Sequence, residues 1–148
     1  MNICIFKMPD YFTTERWIEL LSEVIGKSYR LLSRGIAIVK QALIEATDSN
    51  GAISYASFIE KLDSRSDNLS TEEQESRKLV ASRIIPICVN DNVWTRVFDN
   101  PDAPSVEKLP VNKLREMLHS SNDSNFSRLV LNLWMRLNLP EHYEHTYR

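Results

Sequence analysis

The stretch NFSRLVLNLWMRLNLP, Asn125 to Pro140, carries apolar residues on two sides of any helix it forms. At about 100° per residue, Phe126, Leu129, Val130, Leu133, Trp134 and Leu137 share one broad face, while Leu131, Met135 and Leu139 climb the opposite side at i, i+4, i+8. A surface helix needs only one apolar face. The broad face therefore packs on the chain's own core, and the narrow stripe is either covered inside a central helix or meets another chain. Arg128 and Arg136 flank the narrow stripe, where an arginine stem packs and its head stays in water, as at interface rims. A methionine in the middle suits an adaptable contact.

Working outward, the same helical rhythm recurs along the chain. Pro9 and Asp10 break a short extended piece at Asn2–Lys7, and Thr13 or Thr14 caps a helix bearing Trp17, Leu20, Leu21 and Val24 on one face. That helix pauses at Gly26 or runs on through KSYRLLS. A second rhythm follows Ser33 and Gly35, with Ile36, Val39, Ala42, Leu43 and Ala46, and TDSNG ends it. Ile53 is extended, and Ser54 caps a short helix of Tyr55, Phe58, Ile59 and Leu62. Ser70 with Glu73 forms a capping box before the stripe Ala81, Ile84, Ile85, Cys88, in which Pro86 bends or stops the last turn. NVWTRVF at 92–98 alternates as a strand and is a partner for the N-terminal piece. Pro110 opens a helix with Val111, Leu114 and Leu118 facing inward. The expected fold is mainly α, a compact bundle of about five to six helices with at most a small two-stranded β element. It forms one domain over 1–148, with a polar tail at 141–148.

Composition narrows the function. The chain has 148 residues, 43% of them hydrophobic, and three glycines. Basic and acidic residues balance at six and six over 1–50, six and seven over 51–98, and six and seven over 99–148. No segment is a basic arm, which removes the simplest argument for nucleic acid. The N-terminal apolar run is too short for a signal sequence, and nothing elsewhere resembles a membrane span, so the protein is expected in the cytoplasm. Cys4 and Cys88 are not spaced as a metal or redox pair.

The order of elements from Gly35 to Phe98, and the step GAISYASFIEKL, resemble a winged helix. The resemblance implies a recognition helix starting near Ser70, with Lys78, Ser82 and Arg83 outward and Arg96 on a wing. Glu72 and Glu75 share that outward side and would repel phosphates. His142 and His145 beside Glu141 and Glu144 have a metal-compatible spacing but no further ligand pair. Arg136 and His142 have a spacing similar to that in helical ribonucleases of the HEPN type, with Pro140 between them. His119 ends a helix, where its charged form suits the dipole. No catalytic, cofactor-binding or metal-ligating set emerges. The sequence points to a non-enzymatic protein that binds another protein or a second copy of itself, as an inhibitor, immunity protein, antitoxin or small subunit does. Leu131, Met135, Leu139, Arg128 and Arg136 are the contact residues. A nucleic-acid-binding regulator is the alternative.

Overall fold

A computed structural model of the chain describes residues 4–63, 70–89, 104–120 and 124–139. Helix α1, Thr14–Ser28, begins at an extended Thr13 whose side chain accepts from the Arg16 N–H at 3.3 Å, meeting one of the four donors a helix start leaves orphaned. Trp17, Leu20, Leu21 and Val24 are buried, and Ile18 and Ile25 widen their face. The Trp17 indole N–H donates to the Phe6 carbonyl at 3.2 Å, fastening the N-terminal segment to α1. The extended piece expected at Asn2–Lys7 is reduced, where described, to one parallel bridge between Cys4 and Ser105, the Cys4 N–H donating to the Pro104 carbonyl at 3.0 Å. The candidate strand 92–98 and the tail 141–148 lie outside the described residues.

The chain neither breaks at Gly26 nor runs on. It turns at Arg30, whose φ of 57° is left-handed. Arg30 N–H donates to Lys27 O at 3.2 Å and Leu31 N–H to Gly26 O at 2.7 Å, the paired bonds of a Schellman termination. Glycine normally takes that position, and an arginine there costs about 1–2 kcal/mol. Helix α2, Ser33–Ala46, then starts from Leu32 at the N-cap with no side-chain bond. Serine, threonine, asparagine or aspartate would add about 0.5–2 kcal/mol there. The tight turn brings α2 so close to α1 that a Cβ on Gly26 would collide with Cγ1 of Ile36.

Val39, Ala42, Leu43 and Ala46 are buried. Helix α2 ends where Thr47 Oγ1 donates to Leu43 O at 2.8 Å and the Asp48 carboxylate accepts from the Asn50 and Ala52 N–H groups at 2.8 and 2.9 Å. Gly51 supplies the positive φ of 80° that closes this turn, and Thr47 and Ile53 form an isolated antiparallel bridge. Ser54 Oγ accepts from Ser57 N–H at 3.1 Å and opens α3, Tyr55–Asp63, with Phe58 and Leu62 buried. Ser70 caps α4, Thr71–Val89, in the same way, accepting from Glu73 N–H at 3.2 Å. Helix α4 continues through Pro86 to Val89, so the proline does not stop it.

A 3-10 turn at Val106–Lys108 precedes α5, Val111–Ser120, and α6, Ser124–Asn138. Leu114 is buried and Leu118 half-buried, but Val111, expected to face inward, is 49% exposed. Helix α5 is short and leans on α6. On α6 the broad face is buried at Leu129, Val130, Leu133 and Leu137, with Trp134 half-buried. The spine is α1 against α2; α6 attaches to α1 and carries α5, while α3 and α4 attach to α2 and to each other. The result is a compact helical bundle without a strand among the described residues. No helix there is long and apolar enough to cross a membrane.

Replacing Gly26 by alanine sets two effects against each other. Helix propensity favours alanine by about 1 kcal/mol, whereas overpacking against the β-branched Ile36 costs about 1–3 kcal/mol. The steric effect wins because the colliding atom lies near the Ile36 backbone and cannot swing away. Gly26→Ala lowers the urea midpoint, and Gly26→Ala with Ile36→Ala recovers part of the loss.

Candidate functional site

The narrow stripe of α6 is neither open nor sealed. Leu131 and Met135 are half-buried, and Leu139, one residue past the helix end, is 44% exposed. Arg128 is half-buried. Arg136 does more than border the stripe: it reaches α1, its two terminal nitrogens lying 3.2 and 3.4 Å from the Glu23 carboxylate, which Lys27 also meets at 3.0 Å. Partial burial raises the Glu23 pKa, but the hydrogen bonds and charges of Arg136 and Lys27 outweigh it and leave the carboxyl below its ordinary value of 4.5. Further ties hold α6 in place. The Trp134 indole N–H donates to Leu109 O at 2.8 Å, and Asn132 Nδ2 donates to Ser28 Oγ on α1 at 3.4 Å. At its end, the Tyr11 hydroxyl lies 3.5 Å from Leu137 O. Burial, with Glu107 as hydrogen-bond partner and neighbouring charge, pushes its pKa up to about 12.

A second region lies between α2 and α4. Arg77, 8% exposed, sends Nη1 to the Lys61 carbonyl at 3.1 Å and pairs with Glu45 at 3.4 Å, so one guanidinium ties α4 to α3 and α2. Beside it runs a groove of about 290 Å³ lined by Arg34, Ala37, Ile38, Gln41, Glu73 and Arg77. Farther along α4, Arg83 Nη1 donates to the Arg30 carbonyl at 3.3 Å. Lys78, Ser82 and Arg83 are exposed, as a recognition helix would require, but Glu72 and Glu75 are exposed as well. Arg96 lies outside the described residues.

Nothing local in the sequence marks Arg77 as internal, because its partners come from two other helices. Leu32 at 83% and Leu79 at 68% are the most exposed leucines described. Among the described residues no three histidine, cysteine, aspartate or glutamate side chains gather as a metal site. His119 is exposed in the last turn of α5, and Cys4 is buried. His142 and His145 lie outside the described residues, so their pairing with each other or with Arg136 has no described geometry. No family model matches the chain, and no curated protein or solved structure shows significant similarity to it.

The Glu23 pairing sets a pH dependence. A carboxyl whose folded pKa is depressed adds stability above its unfolded value of 4.5, and that stability is lost as pH falls through the lower folded pKa. For a partly exposed pair the contribution at neutral pH is about 0.2–1 kcal/mol. Urea midpoints of the wild type and Glu23→Gln should therefore differ at neutral pH and converge in acid.

Proposed function

We propose that this chain is a non-enzymatic protein that acts by binding another protein, or a second copy of itself, through the outer stripe of α6. The observation that carries the reading is the contrast between the two sides of one helix. Leu129, Val130, Leu133 and Leu137 are buried, while Leu131 and Met135 on the opposite side are half-buried and Leu139 is 44% exposed. Apolar side chains that a helix leaves part-covered in a row are a place for another chain to complete the burial. Arg128 serves as a rim residue whose head remains in water. Arg136 holds the stripe's orientation through Glu23, so its role in binding is to keep α6 rigid before a partner arrives.

Met135→Glu tests this, since one charge in the centre of an apolar contact opposes association. The variant keeps its helical circular dichroism and loses either the self-association seen by light scattering or the partners captured from native lysate. If it unfolds, the stripe is internal. If it stays folded and keeps both its mass and its partners, the proposal fails.

A winged-helix nucleic-acid-binding regulator is the second reading, favoured by the mutual packing of α2, α3 and α4 with Lys78 and Ser82 facing outward. The acidic Glu72 and Glu75 oppose it. Labelled duplex DNA that bound tightly, weakened steeply with salt and was lost in Lys78→Glu or Arg96→Glu would move this reading to first place.

A further inference from the structure

The turn between α2 and α3 has the spacing of a metal-binding loop. An EF-hand holds calcium in a twelve-residue loop between two helices, with oxygen ligands at positions 1, 3, 5, 7, 9 and 12 and a glycine at position 6 for the sharp turn. The ligand at position 7 is a backbone carbonyl, and the one at position 12 is a glutamate that binds through both oxygens. With Gly51 as position 6 the loop is 46–57, which puts Asp48 at position 3, Asn50 at position 5, the Ala52 carbonyl at position 7 and Ser54 at position 9. The backbone agrees. Helix α2 ends at Ala46, α3 begins at Tyr55, and Gly51 has the positive φ of 80°. Ile53, two residues past the glycine, is buried where the loop crosses back to pair with Thr47.

Two ligand positions do not fit calcium. Position 1 is Ala46, whose buried side chain has no oxygen, and position 12 is Ser57, half-buried, with a hydroxyl in place of a bidentate carboxylate. Asp48 is then the one carboxylate among the ligand positions, and calcium affinity depends on how many charged ligands the loop supplies. That carboxylate is turned onto the chain. Asp48 Oδ1 accepts from the Asn50 and Ala52 N–H groups at 2.8 and 2.9 Å, and the Ala52 carbonyl accepts from the Asp48 N–H at 2.9 Å. The Gly51 N–H donates to Asp48 O at 3.1 Å. Outside the loop, Arg77 reaches Glu45, the residue before it, and the Lys61 carbonyl on α3 beyond it, so α4 ties the two flanking helices together.

We infer that 46–57 is the frame of an EF-hand loop in which hydrogen bonds centred on Asp48 close the loop in place of a cation, so that α2 and α3 keep one arrangement with or without calcium. In a sensor EF-hand, calcium changes the angle between the two helices. The ion can do so only through a strong ligand on each helix, and here Ala46 at the end of α2 and Ser57 in the first turn of α3 supply none. The helix pair is a fixed support for α4 rather than a calcium switch. The inference depends on neither functional reading above.

Ala46→Asp with Ser57→Glu restores both missing carboxylates. Calcium titrated into this full-length variant should raise its urea midpoint and bind by calorimetry with a Kd of about 10⁻⁴–10⁻³ M, the range of the weaker natural loops, while the wild type shows neither effect. Because Ala46 is buried, Asn50→Asp with Ser57→Glu is the companion variant that leaves the end of α2 untouched, and it should gain a weaker response. No calcium response from either variant overturns the frame. For the closure, Asp48→Ala should lower the urea midpoint equally in calcium and in EDTA, and Asp48→Asn, whose amide oxygen can still accept both N–H groups, should lose far less. An unchanged midpoint in Asp48→Ala, or a wild-type calcium response that Asp48→Asn removes, overturns the inference.

Discussion

The left-handed residue at Arg30 is the constraint on which most of the architecture rests. Only a backbone that turns this sharply lets α1 end at Ser28 and α2 begin at Ser33 with their faces already in contact. The close approach of Gly26 and Ile36 follows from that turn, and so does the place where Arg83 anchors α4. The local cost of about 1–2 kcal/mol is outweighed because the turn apposes Val24, Ile25, Val39 and Leu43, each buried side chain contributing about 1.5–3 kcal/mol. Loosening the turn would move α2, and α3 and α4 pack on α2.

Buried and half-buried polar groups then choose among ways of arranging the same apolar faces. Trp17, buried, and Trp134, half-buried, each give the indole N–H to a backbone carbonyl in a distant segment, Phe6 and Leu109. An aromatic with one polar handle can satisfy that handle in few orientations, so each tryptophan sets a register as well as filling space. Arg77 does the same for α4. A buried guanidinium is a poor source of net stability, since desolvation offsets much of its attraction to Glu45. Its geometric demand is strict, because it must meet a carboxylate on α2 and a carbonyl on α3 at once.

The proposed function rests on what the bundle leaves uncovered. The chain has helix faces with surplus apolar side chains and arginines beside them. That pairing is a common basis of protein recognition, in which leucine and methionine supply area while arginine supplies direction. The α6 stripe is a half-closed face, and of the two arginines beside it Arg136 is engaged with Glu23.

The sequence by itself determined the helices and most of their boundaries, because caps and hydrophobic periodicity act over four residues or fewer. Thr13, Ser54 and Ser70 cap as their spacing implies, and Trp17, Phe58, Ile84 and Leu133 lie in the core as their stripes imply. Periodicity says which side of a helix is apolar but not how much of that side a neighbour covers. Hence Val111, on the apolar side of α5, is 49% exposed, and Leu131 and Met135, equally free on paper to be buried or open, come to rest half-covered. Cys4 meeting Ser105, Arg77 meeting Glu45 and Lys61, and Arg136 meeting Glu23 are decided by contacts between segments far apart in the chain. Only the tertiary structure sets these, since a charged side chain carries no local mark of the partner that will make its burial tolerable.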